Sequence, residues 1–87
     1  MQIDPTEMVT VVNRLKRTQG QVGGIVRMLE EGRACEDIIT QLAAASRALD
    51  RTGFALTAAA LKQCLSETGG EESTDMLRLE KVFLSLA

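Results

Sequence analysis

The fold is decided by residues 34–70, ACEDIITQLAAASRALDRTGFALTAAALKQCLSETGG. Apolar residues recur along this stretch at steps of three and four, which predicts an amphipathic α-helix. Only Gly53 weakens the pattern before Gly69-Gly70. We therefore predict a helix of about 33 residues, roughly 50 Å long, that begins at Ala34–Glu36. Its predicted inward stripe comprises Ile38, Ile39, Leu42, Ala45, Leu49, Ala55, Leu56, Ala59, Leu61 and Leu65.

A second long helix is predicted to precede this one. In residues 4–7, DPTE, an aspartate can cap, a proline fits the first helical position and a glutamate completes a capping box. The apolar pattern then continues in phase through Gly20, Gly23 and Gly24. We predict one helix, with a glycine face that allows close packing, ending at Gly32 as its C′ residue.

The C-terminal part of the chain predicts a short third helix. It follows a polar linker over residues 71–75 and is capped by Ser73 or Thr74. Its apolar residues are Met76, Leu77, Leu79, Val82, Phe83 and Leu86. Because no stretch alternates as a strand does, the sequence predicts an all-α protomer with two long helices and a short C-terminal helix, forming a single domain over residues 1–87.

Length and composition indicate that one copy has a marginal core. The chain has 87 residues, and Phe54 and Phe83 are its only aromatic residues. A domain of this size buries about 60–65% of its unfolded surface, so we expect partner subunits to complete the core. The sequence shows neither a run of about 18 apolar residues nor a signal peptide, so we expect a cytoplasmic protein with no membrane partner.

The charges are distributed unevenly. The net charge is −2, yet the segment Val9–Leu29 contains no acidic residue and four basic ones, Arg14, Lys16, Arg17 and Arg27. A local basic surface of this kind is typical of nucleic-acid binding. The alternative is an ordinary solvated helix face.

The two cysteines are placed by the predicted helix. Cys64 follows Cys35 by 29 residues, which places the two cysteines about 44 Å apart along the helix axis. The same spacing corresponds to about eight turns plus 20°, so both cysteines lie on one face of the helix. They cannot form a disulfide within a straight helix. If two copies pair antiparallel about an axis near Leu49–Asp50, Cys35 of one copy lies beside Cys64 of the other, twice per dimer. The alternative is two unrelated buried cysteines, which behave as small apolar residues.

The predicted thiol pair favours a small set of chemistries. Cys35 lies at a helix start, where the dipole favours a thiolate. Two adjacent thiolates can bind a soft metal such as Cu(I) or Zn(II), or exchange sulfur. The chain has no His, so we predict no enzyme. A thiol enzyme or sulfur carrier and a purely structural helical oligomer remain open.

Several segments together resemble the CsoR-type copper-sensing repressors. They are residues 14–22 (RLKRTQGQV), 24–30 (GIVRMLE), 35–44 (CEDIITQLAA), 48–51 (ALDR) and 61–64 (LKQC). The resemblance covers nearly the whole chain. It implies a homotetramer built from antiparallel dimers, in a helical bundle, and a repressor that releases double-stranded operator DNA when its cysteine site is loaded. It implies DNA contacts at Arg14 and Arg51, to which the basic segment adds Lys16, Arg17 and Gln21.

The chain departs from the copper-sensing pattern at one ligand. The resemblance implies a Cys–His–Cys site for Cu(I), but the position one turn before Cys64 is Ala60, and a frequent Tyr is replaced by Ala34. Glu80 matches an acidic residue that supports the copper site. With two cysteines and no His, the chain looks like the CstR-like branch of these repressors, and this resemblance implies sensing of persulfides. We therefore predict sensing of persulfides and polysulfides through bridges between Cys35 and Cys64 of different subunits, with no cofactor. The alternative is Cu(I) held by the same two thiolates.

Overall fold

A computed structural model describes residues 2–68 and 74–85. In this part of the chain the α-helices are α1 (Val9–Glu30), α2 (Cys35–Thr68) and α3 (Thr74–Ser85), and no strand occurs. This confirms the predicted all-α protomer with two long helices and a short third one. Helix α2 has 34 residues, close to its predicted length. Ser73 and Leu86, assigned above to the third helix, lie outside the described residues.

The start of the first helix differs from the prediction. Pro5–Glu7 form a 3-10 turn, and α1 begins only at Val9. Asp4 caps this turn: its Oδ1 accepts hydrogen bonds from the Thr6 hydroxyl (2.7 Å) and the Thr6 backbone N–H (3.0 Å). These two bonds, the hydroxyl first, hold the pKa of Asp4 below its usual value. The predicted α-helical capping box is wrong because the backbone leaves helical geometry at Met8, with φ −110° and ψ 10°.

The end of α1 agrees with the prediction. All three interior glycines lie within the helix. Gly32 has a positive φ of 65°, a conformation that glycine adopts without steric cost. The N–H of Gly32 donates to the Leu29 carbonyl (3.2 Å) and that of Arg33 to the Met28 carbonyl (3.0 Å). These two bonds form a Schellman motif, which turns the chain into α2.

Helices α1 and α2 pack antiparallel. The side chain of Gln63, near the end of α2, accepts a hydrogen bond from the Asp4 N–H (3.0 Å) and donates one to the Gln2 carbonyl (2.8 Å). The segment before α1 therefore lies beside the last part of α2. Most of the buried residues of the α1–α2 layer are small or β-branched, so the two helices approach closely. They are Met8, Val11, Thr18, Ile25, Ala45 and Thr52.

Helix α3 packs back along the second half of α2. Phe83, near the end of α3, contacts Phe54 of α2, which lies well before the end of that helix. Because the chain passes from the end of α2 into α3, this contact means that α3 runs antiparallel to α2. Helix α2 is thus the central element, with α1 and α3 packed against it.

The predicted inward stripe of α2 is only partly correct. Ala45 is buried, but five of its large apolar residues are exposed in one chain: Ile39, Leu42, Leu49, Leu56 and Leu65. The reason is geometric, since two neighbouring helices cannot surround a rod of this length. Completion of the core by further copies remains a prediction. Among the described residues, no helix has the length and apolarity needed to cross a bilayer.

Candidate functional site

Cys35 is the first residue of α2, and it is exposed. The helical hydrogen bonding begins one residue earlier, because the Ala34 carbonyl accepts from the N–H groups of Asp37 (3.1 Å) and Ile38 (3.2 Å). This agrees with the predicted position of Cys35 at a helix start. A reagent in solution can therefore reach Cys35 in the single chain.

Cys64 has the opposite environment. Its side chain is only 1% exposed. Phe54, Thr57, Leu61 and Cys64 follow one another at steps of three and four, so they form a single stripe along α2. The Phe54 ring on this side of α2 contacts α3. The two thiols therefore differ sharply in access, a feature that the sequence alone did not predict.

The two cysteines are far apart within the chain. Both lie on the uninterrupted helix α2, so their separation of 29 residues corresponds to about 44 Å. A disulfide requires Cα atoms within about 7 Å. Within residues 2–68 and 74–85, no group of three or more His, Cys, Asp or Glu residues could hold a metal ion. One copy therefore cannot complete the predicted site, and the pairing of two copies stays a prediction.

Two further residues were assigned to the surroundings of the thiols. Ala60 lies one turn before Cys64 and is 2% exposed, so its methyl group is covered by the chain itself. It offers no donor atom, and the space beside it is not open to solvent. Glu80 is exposed on α3, three residues before Phe83. Any role of Glu80 near the thiols is a prediction that a single chain does not test.

Four of the five predicted DNA-contact residues lie together. Arg14, Arg17 and Gln21 of α1 and Arg51 of α2 line one groove of about 540 Å³. We call this the arginine groove. Its remaining lining residues are neutral, so the described lining contains three guanidinium groups and no carboxylate: Thr10, Asn13, Thr18, Ala48 and Thr52.

The floor of the arginine groove is formed by two buried threonines. Thr18 of α1 donates its hydroxyl to the Arg14 carbonyl (3.1 Å), and Thr52 of α2 donates to the Ala48 carbonyl (2.8 Å). Both hydroxyls are therefore satisfied within their own helices, which makes their burial inexpensive. These threonines and Ala48 line the groove together with the arginines of both helices.

Lys16 is the exception among the predicted DNA contacts. It does not line the arginine groove. Lys16 follows Arg14 by two residues, which rotates it by about 200° around the axis of α1. It therefore lies on the side of α1 opposite Arg14. Conversely, Thr10 and Asn13 line the groove but were not predicted. Thr10 precedes Arg14 by four residues and Arg17 by seven, and Asn13 precedes Arg17 by four, which is the helical spacing that would have identified them.

These features define an all-helical protein with a basic groove and two cysteines that only a second copy can bring together. A family model described as metal-sensitive transcriptional repressor matches residues 7–85. The chain therefore belongs to the family of metal-sensitive transcriptional repressors, the CsoR family, whose members are repressors and not enzymes. The resemblance of the sequence to this family is confirmed, but the persulfide-sensing branch is not.

Individual relatives carry copper-sensing descriptions. The chain is 40% identical over 58 residues to the copper-sensing transcriptional repressor RicR of Mycobacterium tuberculosis, a match covering 67% of this chain and 60% of that protein. It is 32% identical over 78 residues to the copper-sensing transcriptional repressor CsoR of Bacillus subtilis, covering 84% and 77%. The matched part thus spans less than two thirds of RicR.

A solved structure supports the fold. The chain superposes on the crystal structure of the copper-sensing repressor CsoR with Cu(I) from Geobacillus thermodenitrificans with a TM-score of 0.73. The two chains are 29% identical, and the match covers 98% of this chain and 91% of the other. The three-helix arrangement is therefore that of a known copper-sensing repressor.

Proposed function

We propose that the chain represses transcription by binding double-stranded operator DNA through the arginine groove, in the cytoplasm. The observation that carries this proposal is the convergence of Arg14, Arg17 and Arg51 from two helices in one groove. Guanidinium groups bind phosphate oxygens in bidentate geometry, and contacts to phosphates supply most of the affinity of DNA-binding proteins. No helix-turn-helix motif is visible in the sequence, so we expect phosphate and shape contacts to dominate.

The sensing site in this proposal is formed by two copies. In an antiparallel dimer, Cys35 of one copy lies beside Cys64 of the other, and two such dimers form a homotetramer. The exposure of Cys35 and the burial of Cys64 give the pair an order of events. An inducer first meets Cys35, and Cys64 joins when α3 or the dimer contact yields. Loading of the pair then lowers the affinity for DNA.

Cu(I) is the inducer that the comparisons favour. RicR, the Bacillus CsoR and the Geobacillus structure are all described as copper-sensing. Thiolates are the ligands that Cu(I) prefers, and Cys35 and Cys64 of two copies provide two of them. Ala60 cannot supply a third ligand, since its side chain is a methyl group. The donor set therefore fits Cu(I) bound by two sulfurs, and we expect a lower affinity than a site with an additional imidazole provides.

Persulfides are the second candidate inducer, and Ala60 is the observation that favours them. A low-molecular-weight persulfide can transfer its outer sulfur to the Cys35 thiolate and leave as a thiolate. The partner's thiolate at position 64 then attacks that Cys35 persulfide at the inner sulfur, and hydrosulfide leaves. The product is a disulfide between chains, and further sulfur transfer gives tri- and tetrasulfides. This chemistry needs no nitrogen ligand at position 60.

A mobility-shift experiment on the DNA upstream of the chain's own gene tests the proposal. The reduced protein should bind this DNA, and Cu(I) loaded without oxygen should release it. Cys35→Ser and Cys64→Ser should bind equally well but resist release. Release by a persulfide donor and not by Cu(I) would favour the second candidate. The repressor proposal itself would be contradicted if the reduced wild-type protein bound the upstream DNA no more tightly than unrelated DNA of equal length.

A further inference from the structure

A second polar cavity continues from the arginine groove along the same face. It has a volume of about 320 Å³ and lies between α1, the turn after α1 and the first part of α2. Gln21 lines both cavities, so they form one surface. The remaining lining residues are Gly24, Ile25, Arg27, Met28, Glu31, Arg33 and Gln41.

The guanidinium of Arg27 lies over the glycine pair of α1. Its Nη1 is 3.8 Å from the position that a Cβ atom would take at Gly23, and its Nη2 is 3.8 Å from that position at Gly24. Each glycine costs about 1 kcal/mol relative to alanine inside a helix. Because neither glycine has a side chain, the guanidinium can lie against α1 at this point, and Arg27 remains exposed to solvent.

The one carboxylate among the lining residues of this cavity faces the guanidinium of Arg33, which lines the cavity as well. Glu31 Oε2 lies 3.8 Å from Arg33 Nη1, and both side chains are more than half exposed. Such an exposed ion pair is weak. The cavity therefore combines the Arg27 guanidinium with the amides of Gln21 and Gln41, and each of these three groups can donate hydrogen bonds to an anion.

The distance from the arginine groove suits a second contact on the same duplex. Arg27 follows Arg14 by 13 residues on α1, which is about 20 Å. One strand of DNA advances about 3.4 Å per phosphate along the axis. A separation of about 20 Å corresponds to the axial length of about six base pairs, so a single duplex is long enough to span both sites.

We propose that Arg27, with Gln21 and Gln41, forms a second phosphate-binding site that extends the DNA contact surface toward the α1–α2 turn. This proposal rests on the proposed function. The Arg27 guanidinium binds a backbone phosphate in bidentate geometry, and the two amides bind the same or the adjacent phosphate. The glycine pair gives the guanidinium a place to lie against α1, and its exposure leaves it accessible to the DNA backbone.

The first test removes the charge of Arg27 and uses a matched control at Lys16, a residue of α1 that lines neither cavity. Arg27→Gln should weaken operator binding roughly tenfold, the effect expected for removal of a charged hydrogen bond. Its log–log salt dependence should become shallower by about 0.9 for each phosphate that the variant no longer neutralises. Lys16→Gln removes the same charge from α1 and should change the affinity less than threefold. Equal effects of the two variants on affinity and slope would overturn the proposal.

A second pair of variants covers the case in which Arg27→Gln fails to fold. Gln41→Glu places a negative charge in the cavity from α2, and Gln19→Glu places one on α1 away from it. Gln41→Glu should weaken DNA binding by at least fivefold more than Gln19→Glu, because a carboxylate in the cavity repels phosphate. If both behave alike while Arg14→Gln still impairs binding, this site is absent and the arginine groove stands. If the wild type does not bind operator DNA, the proposed function has failed instead.

Discussion

The rings of Phe54 and Phe83 meet edge to face, with their centroids 5.2 Å apart and their planes at 73°. They are the only two aromatic residues in the chain, and they join α2 to α3. Edge-to-face pairs contribute about 0.5–1.5 kcal/mol beyond the area that they bury. Because Phe54 lies on the same side of α2 as Cys64, we expect α3 to limit access to the buried thiol.

Loosening this contact should expose Cys64. We expect Phe83→Ala to lower the free energy of unfolding by about 1–2 kcal/mol, less than for a fully buried ring because both rings are partly exposed. In a Cys35→Ser background, a thiol reagent should then label Cys64 several times faster. Leu84→Ala, on the exposed side of α3, serves as the control. An unchanged labelling rate in Phe83→Ala would show that α3 does not control access to Cys64.

The arginine groove predicts which charges matter for DNA. Arg14→Ala and Arg51→Ala should each weaken operator binding. In each variant the slope of the logarithm of the binding constant against the logarithm of the salt concentration should become shallower by about 0.9 for each phosphate that loses its guanidinium partner. The oligomer should stay intact, since both side chains are exposed. Fluorescence anisotropy over a series of salt concentrations measures both quantities. Lys16→Ala, on the opposite side of α1, is the control, and a weakening equal to that of Arg14→Ala would contradict the groove as the contact surface.

The sequence predicted the helices better than it predicted their surroundings. Gly32 lies in the turn after α1 and Cys35 begins α2, as expected, because left-handed backbone geometry and helix starts are local properties. The burial of Cys64 depends instead on how the helices pack, which brings together distant parts of the chain. Lys16 was grouped with Arg14 by proximity in sequence, but helix geometry separates them by about 200°.

The exposed apolar residues predict assembly into four chains. Several large apolar side chains are exposed in one copy: Ile39 and Leu42 of α2, and Val26 and Leu29 of α1. Burying them against other copies stabilises an assembly by about 25 cal/mol for each Å² of apolar surface removed from water. Sedimentation at micromolar concentration should therefore give a particle of four chains. Leu42→Glu should shift it to smaller species, because the charge would be buried without a partner. A wild-type monomer at that concentration would contradict both the tetramer and the thiol pair.

The length of α2 predicts that oxidised products link different chains. The cysteines are about 44 Å apart within one copy, so a persulfide donor should give a covalent dimer on non-reducing gels, and a reductant should restore single chains. Mass spectrometry should find Cys35 joined to Cys64 with zero to two additional sulfurs. Cys64→Ser should retain a persulfide on Cys35 without forming the bridge. A bridge between Cys35 and Cys64 of the same chain would show that α2 breaks.

Ala60 offers the sharpest distinction between the two candidate inducers. Ala60→His places an imidazole one turn before Cys64, where a nitrogen ligand can join two thiolates. We expect the Cu(I) affinity, measured by competition with a chelator, to rise by at least tenfold. Because Ala60 is 2% exposed, the larger side chain should lower the stability by about 1–3 kcal/mol, which thermal unfolding would register. Ala59→His adds the same group about 100° around the helix and is the control. Equal Cu(I) affinities in the two variants would mean that Cys64 and position 60 do not face a common metal site, and the Cu(I) proposal would then lose its structural basis.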